Sequence, residues 1–166
     1  MQEIELQLRQ EDAKLVFLAI AYHLGRPGSE LDPITKQPVE HGLAEVMREL
    51  QPQMRMAVAR IGLRDTQFKR LLSGMLGSIT ELKAYPMLDL RADPNGEGRR
   101  SSVAGFDRTL LHLYPQVEED AEITIEVAEH MLMLKRKLDE RMATLPPEEP
   151  EVEEKGKKKG WWPFGR

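Results

Sequence analysis

Residues 15–22 read LVFLAIAY, and no longer apolar run occurs in the chain. A helix that spans a membrane needs about 20 apolar residues, so this run predicts instead a helix that is buried in the core of a domain. Glu11 and Asp12 precede the run and suit the positive end of a helix. Gly25 follows it, where helices commonly end. The pattern predicts a central helix from about Glu11 to Leu24.

The composition of the chain indicates one globular domain, of which this helix is the centre. Its 166 residues fit one domain with a tail, and 40% hydrophobic with 31% charged residues is typical of a globular body. Few aromatic residues and nine methionines predict an aliphatic, adaptable core. The lack of cysteine excludes disulfides, thiol catalysis and cysteine-ligated zinc. A formal net charge of -4 argues against a protein whose whole surface binds nucleic acid.

Apolar spacing and proline positions predict further helices. The clearest runs from Thr66 to about Lys83 after Asp65, which suits an N-cap. Its apolar face consists of Phe68, Leu71, Leu72, Met75, Ile79 and Leu82. The other predicted helices run from Pro38 to about Leu50, from Pro52 to near Gly62, from Phe106 to Tyr114 and from about Val117 to Ala143. The Pro38 and Pro52 helices form an αα-hairpin or one kinked helix, since proline allows either arrangement.

A short strand is predicted at the N-terminal end. Ile4, Leu6 and Leu8 alternate with polar residues, which is the period of a half-buried strand. Its partner within the chain is predicted at residues 87–91, where a similar alternation occurs. Pairing with the same strand of a second copy is the other option.

These elements predict a mainly α-helical fold. Residues 1–144 form a compact domain of five or six helices, with a small two-stranded β element at the N-terminus. Residues 145–166 form a tail, which is expected to be disordered because it holds too little apolar surface to fold alone. Pro146, Pro147 and Pro150 stiffen its first part.

Motifs for catalysis or metal binding do not stand out. Glu126 and His130 are four residues apart and are interpreted as a contact on a helix surface rather than as metal ligands. The bare pattern of Gly96 and Gly98 lacks the context of a phosphate-binding loop. We therefore predict no catalytic residue, no metal and no cofactor, and whether the protein is an enzyme stays uncertain, leaning no. The Arg99-Arg100-Ser101-Ser102 segment is interpreted as a solvated loop, with a modification or docking site as the alternative.

Small residues form a candidate packing seam in the helix that follows Asp65. Ser73 and Gly77 are four residues apart, as are Gly74 and Ser78. A glycine inside a helix costs about 1 kcal/mol relative to alanine, so close helix packing is expected to offset that cost. Packing within one molecule is the favoured interpretation, and the seam of a homodimer is the alternative.

Basic residues concentrate between Arg48 and Arg70, where six of them face only two acidic residues. The candidate anion-binding residues are Arg55, Arg60, Arg64, Lys69 and Arg70. Phosphates or an acidic partner would suit them, and so would the acidic start of the last helix. No aromatic residue interleaves with them, so a stacking platform for single-stranded nucleic acid is disfavoured.

The tail carries five glutamates between residues 148 and 154, followed by a basic and aromatic tip. The candidate docking residues of this tip are Lys157, Lys158, Lys159, Trp161, Trp162 and Phe164. Tryptophan favours the headgroup region of a membrane and also makes strong contacts in protein pockets. The tip is therefore interpreted as a membrane anchor, as a peptide ligand for a partner protein, or as a segment that folds back on its own body.

The predicted function is a non-enzymatic adaptor or assembly protein that docks through this tail to a partner protein or an anionic membrane surface. The alternatives are a phosphate- or nucleic-acid-contacting regulator that uses the basic face, and an enzyme with an unrecognised site. The first residues, MQEIELQLRQED, lack the basic and apolar regions of a signal peptide. The expected location is the cytoplasm, with any membrane contact peripheral.

Overall fold

The computed structural model describes residues 3–87, 101 and 103–145, and within them the chain forms five α-helices and one two-stranded sheet. In chain order the elements are β1 (Glu3–Arg9), α1 (Gln10–Gly25), α2 (Leu43–Leu50), β2 (Val58–Arg64), α3 (Asp65–Ala84), α4 (Phe106–Leu113) and α5 (Ile123–Thr144). Short 3-10 turns lie at Gln51–Gln53, Tyr85–Met87 and Pro115–Glu118. The predicted fold class, mainly helical with an N-terminal two-stranded element, is confirmed.

Helix α1 lies at the centre of the core, as its apolar sequence predicts. Val16, Leu18, Ala19 and Ile20 have no solvent exposure, because the other four helices all contact α1. Full burial of a large aliphatic side chain contributes roughly 1.5–3 kcal/mol relative to leaving it in water. The central helix therefore supplies much of the apolar surface that holds the domain together.

Strand β1 is confirmed, but the predicted partner is wrong. Residues 58–64, which were predicted to end a helix, form β2 and pair with β1 in antiparallel register, so that Leu6 faces Ile61. Along β2, Ala59, Ile61 and Leu63 are buried while the residues between them point outward. Met87 lies in a 3-10 turn, and residues 88–91 are outside the described residues. Pairing of β1 with the same strand of a second copy stays a prediction.

Two helices begin later than predicted. Helix α2 starts at Leu43, because Pro38 is held in an isolated bridge with Leu31 and Val39 donates to the Glu30 carbonyl. Pro52 starts no helix of its own beyond the 3-10 turn Gln51–Gln53. In the last helix, the predicted start is occupied by the 3-10 turn Pro115–Glu118, and α5 begins at Ile123.

The outer edge of β2 is closed by side chains. Gln53 donates from Nε2 to the Arg60 carbonyl (2.9 Å) and accepts at Oε1 from the Arg60 N–H (2.8 Å), as a neighbouring strand would. The Gly62 N–H donates to Glu49 Oε1 (3.2 Å), and the Arg64 N–H donates to Gln67 Oε1 (2.8 Å). Three successive outward N–H groups of this edge therefore already have acceptors.

We expect the substitution Gln53→Ala to lower the free energy of unfolding by about 1 kcal/mol, because three exposed hydrogen bonds between its side chain and the backbone of Arg60 and Glu49 are exchanged for bonds to water. Gln51→Ala, at an exposed position in the same 3-10 turn, serves as the matched control and should change stability by less than about 0.5 kcal/mol. Urea denaturation followed by circular dichroism measures both. Equal stability of the two variants would contradict a structural role for the Gln53 amide.

Candidate functional site

The corner where the tail leaves the body lies beside the free edge of β1. Helix α5 ends at Thr144, and Leu145 follows in extended conformation. One turn earlier, Arg141 donates from Nη2 to the backbone carbonyl of Glu5 in β1 (2.8 Å). The tail therefore begins next to the N-terminal strand. The predicted docking residues, Lys157, Lys158, Lys159, Trp161, Trp162 and Phe164, lie outside the described residues.

A cavity of about 420 Å³ lies between the start of α1 and the middle of α5. Three separate segments of the chain line this cavity, and they contribute both apolar surface and charged side chains. The lining residues are Arg9, Glu11, Asp12, Lys14, Leu15, Tyr114, His130, Met133, Leu134 and Lys137. Basic and acidic groups both line the cavity, so its chemistry suits a polar ligand that carries both signs of charge better than a simple anion.

The phenol of Tyr114 is the most perturbed group of this cavity. Burial raises the pKa of the Tyr114 phenol, and the negative charges of Asp12 and Glu11 raise the pKa further. The Lys14 ammonium lies 5.8 Å from the centroid of the Tyr114 ring, within range of a cation–π contact. At neutral pH the phenol keeps its proton, as a phenol of ordinary pKa also does, and it is able to donate a hydrogen bond. The sequence analysis missed this cavity, because its lining comes from segments far apart in the chain.

The predicted anion-binding residues do not converge on one site. Arg60 and Arg64 share the outward face of β2, where Arg64 lies opposite Glu3 of β1. Lys69 forms an ion pair with Asp65 (2.9 Å), and Arg70 donates to the His41 carbonyl (3.3 Å). Arg55 is exposed in the segment between the Gln51–Gln53 turn and β2. Two of the five basic groups thus share a sheet face, and two others have partners in the body.

The predicted packing seam faces α1 through its two glycines. A Cβ atom on Gly74 would lie 3.1 Å from the Ala19 carbonyl oxygen of α1, and one on Gly77 would overlap the Tyr22 ring. Ser78 is buried and donates to the Gly74 carbonyl (2.8 Å), whereas Ser73 is exposed. The glycines allow close contact with α1 within one molecule, and involvement of this helix in a dimer stays a prediction.

A buried polar group connects the end of α1 with the start of α2. The Nε2 of His23, near the end of α1, lies 2.9 Å from Glu30 Oε2. The other oxygen of Glu30 accepts from the Ala44 N–H in the first turn of α2 (3.0 Å). Glu30 therefore caps α2 from a distant position in the chain. A second, open cavity of about 630 Å³ is lined partly by Glu30 and the end of α1.

Ser101 is the residue of the 99–102 segment whose contacts are described. Its hydroxyl donates to the Glu81 carboxylate of α3 and accepts from the Val103 N–H, while its backbone N–H donates to Asp107 Oδ2 (3.1 Å). Only 4% of the residue is exposed. A phosphate on this hydroxyl would meet two carboxylates, so the structure favours an anchoring role for Ser101 over modification.

Residues 3–87, 101 and 103–145 contain neither a candidate metal-binding cluster nor a helix able to cross a membrane. No group of three or more histidine, aspartate or glutamate side chains in these ranges is arranged to hold a metal ion. No helix within the same ranges combines the length and the apolar character needed to cross a membrane.

Comparison of the chain with protein-family models, with curated protein sequences and with solved structures found no match. The function proposed for this protein therefore rests on its own residues and geometry.

Proposed function

We propose that the protein is a non-enzymatic adaptor, in which the tail attaches the helical body to a partner protein or to an anionic membrane surface. The observation that carries this proposal is the tip of the tail, where Trp161, Trp162 and Phe164 adjoin Lys157, Lys158 and Lys159. These are large apolar side chains beside concentrated positive charge. Both kinds of group gain free energy at an anionic lipid surface, and tryptophan also gains it in a protein pocket.

The construction of the body supports this proposal. Its core is formed by buried side chains of both strands and all five helices, from Ile4 to Leu138. The described residues form this core without a tryptophan, since both tryptophans of the chain, Trp161 and Trp162, lie outside them. Attachment is the purpose that the chemistry of the aromatic tip favours.

The distance that the tail can reach also supports attachment. The tail starts at Leu145, on the surface beside β1, and an extended chain spans at most about 3.3–3.6 Å per residue. The tip at Trp161 can therefore reach roughly 50 Å from the end of α5. The acidic stretch between residues 148 and 154 separates the basic tip from the body. A tail of this length lets the tip bind a surface while the body stays at a distance from that surface.

We expect the full chain, but not a chain that ends at Thr144, to float with anionic vesicles if the bound surface is a membrane. Replacing Lys157, Lys158 and Lys159 by glutamine should then weaken partitioning about a hundredfold at low salt, since each basic residue contributes about 1 kcal/mol. Replacing the three aromatic residues by alanine keeps the charge and isolates the apolar contribution.

If flotation is the same for the full and the shortened chain, the membrane is excluded as the bound surface. The same two chains are then compared by affinity capture, in which a partner protein should bind the full chain and be lost with the tail. A tail whose removal changes neither vesicle binding nor protein capture would overturn the adaptor proposal.

A further inference from the structure

The two edges of the small sheet differ in whether side chains accept hydrogen bonds from their outward N–H groups. The outward N–H groups of β2 donate to the side chains of Gln53, Glu49 and Gln67. Such protection is what natural proteins use to prevent unwanted strand pairing. The edge of β1 has no equivalent set of side chains in the part of the chain that the structure describes.

The register identifies which backbone groups of β1 face outward. Arg60 and Gly62 direct their N–H groups away from β1, so the pairs they form with Gln7 and Glu5 are the non-hydrogen-bonded pairs of the ladder. The N–H groups of Glu5 and Gln7 must therefore also point away from the sheet. Among the described residues, Arg141 reaches this edge at the Glu5 carbonyl, and no hydrogen bond reaches the Glu5 or Gln7 N–H.

We propose that β1 pairs antiparallel with β1 of a second copy of this chain, which produces a four-stranded sheet across a two-fold axis at Leu6. In this register Glu5 faces the partner's Gln7, and the unpaired N–H groups of both residues donate to each other's carbonyls. The Glu5 carbonyl, which already accepts from Arg141, then accepts a second bond through its other lone pair. A two-fold interface uses the same surface on both copies, as an antiparallel pair of identical strands requires.

The charges of β1 favour this register. Glu3 would face the partner's Arg9 at one end of the strand, and Arg9 would face the partner's Glu3 at the other. The Arg9 side chain is 70% exposed, so it is accessible to a second chain. Its Nε lies 3.6 Å from Asp12 Oδ2 of the same chain. Two opposite-charge pairs would thus form by symmetry, and both would stabilise the pairing.

Other registers are less favourable. A shift by two residues in one direction places Glu5 opposite the partner's Glu5, which brings like charges together. The same shift in the other direction places Glu5 opposite the partner's Arg9, but, like the first shift, it leaves only five residues of each strand paired, with Glu3 beyond the partner's strand. A shift by one residue puts the buried apolar face of one strand on the same side as the exposed face of the other. The register centred on Leu6 pairs all seven residues and keeps Ile4, Leu6 and Leu8 on one apolar face.

The test uses two full-length variants, Glu3→Arg and Arg9→Glu. Each variant alone brings two like-charge pairs into the dimer, and its dimer dissociation constant should rise about tenfold over the unaltered chain. Mixing the two variants restores both opposite-charge pairs, so the mixture should recover dimerisation as a heterodimer. Analytical ultracentrifugation over a concentration series measures the affinity, and native mass spectrometry identifies the heterodimer by mass.

A second pair of variants protects the test against local misfolding, because Glu3→Arg also faces Arg64 within its own chain. Gln7→Pro removes an outward N–H and leaves the β1–β2 ladder intact, since proline is tolerated on an edge strand. It should abolish the dimer, while Gln7→Thr should keep it, and circular dichroism checks that both are folded. A chain that stays monomeric at every concentration, or a dimer that none of these variants weakens, overturns the proposal.

Discussion

The substitution Gly74→Val is expected to lower the free energy of unfolding by about 3 kcal/mol, because valine forces α3 away from α1. The Cβ position of Gly74 lies 3.1 Å from the Ala19 carbonyl oxygen and 3.5 Å from the His23 Cβ. Both belong to the central helix, and neither is the movable end of a long side chain. The two methyl groups of valine would project further toward this backbone than the Cβ itself.

Ser73→Val is the matched control for Gly74→Val. Ser73 is exposed on the same turn of α3, so valine there meets solvent and its effect should stay within about 0.5 kcal/mol. Valine has a better helix propensity than glycine, so helix propensity alone would make Gly74→Val stabilising. Urea denaturation of both variants separates packing from propensity. A Gly74→Val protein as stable as the Ser73→Val protein would show that α1 and α3 do not approach so closely in solution.

The substitution Gln67→Met is expected to cost about 3 kcal/mol, since it removes the partners of buried backbone groups while nearly preserving side-chain volume. Gln67 is 3% exposed. Its Oε1 accepts from the Arg64 N–H (2.8 Å), and its Nε2 donates to the Gly42 carbonyl (3.1 Å) and approaches Glu45 Oε2 (3.3 Å). The thioether of methionine fills the space but replaces none of these bonds.

Thr66→Met, at the exposed neighbouring position in the first turn of α3, controls for placing methionine near the helix start. Thermal and urea unfolding give the stability difference, and amide hydrogen exchange reports locally on the Arg64 N–H. Faster exchange at Arg64 together with the lost stability is the expected result. If Gln67→Met loses less than about 1 kcal/mol, the buried amide is not the connection between α3 and the loop before α2 that its contacts indicate.

Elements with a strong period were predictable from the sequence, and elements defined by distant contacts were not. The spaced face of α3 has the period of a helix, and the apolar run of α1 lies between acidic residues and Gly25, so both helices were found. Strand β2 was taken for a helix because Pro52 is typical of a helix start and Gly62 interrupts the strand pattern. Pro38 carried the same signal, but its bridge with Leu31 keeps it outside α2.

Polar contacts between side chains and backbone were the least predictable part of the molecule. Gln53, Glu49 and Gln67 close the edge of β2 through contacts with backbone groups, and such contacts follow no sequence period. The cavity beside Tyr114 is likewise assembled from three segments whose proximity only the fold creates. The candidate docking residues of the tail were inferred from their composition alone and stay a prediction.

The order of the elements also affects how the chain is made. Strands β1 and β2 are separated by α1 and α2, so Leu6 meets Ile61 only after two helices have been synthesised between them. Closing this long loop costs more chain entropy than forming either helix locally. During synthesis β1 therefore has two open edges until β2 has emerged, and one edge afterwards. The nascent chain therefore exposes one more strand edge to pairing with other chains than the folded protein does.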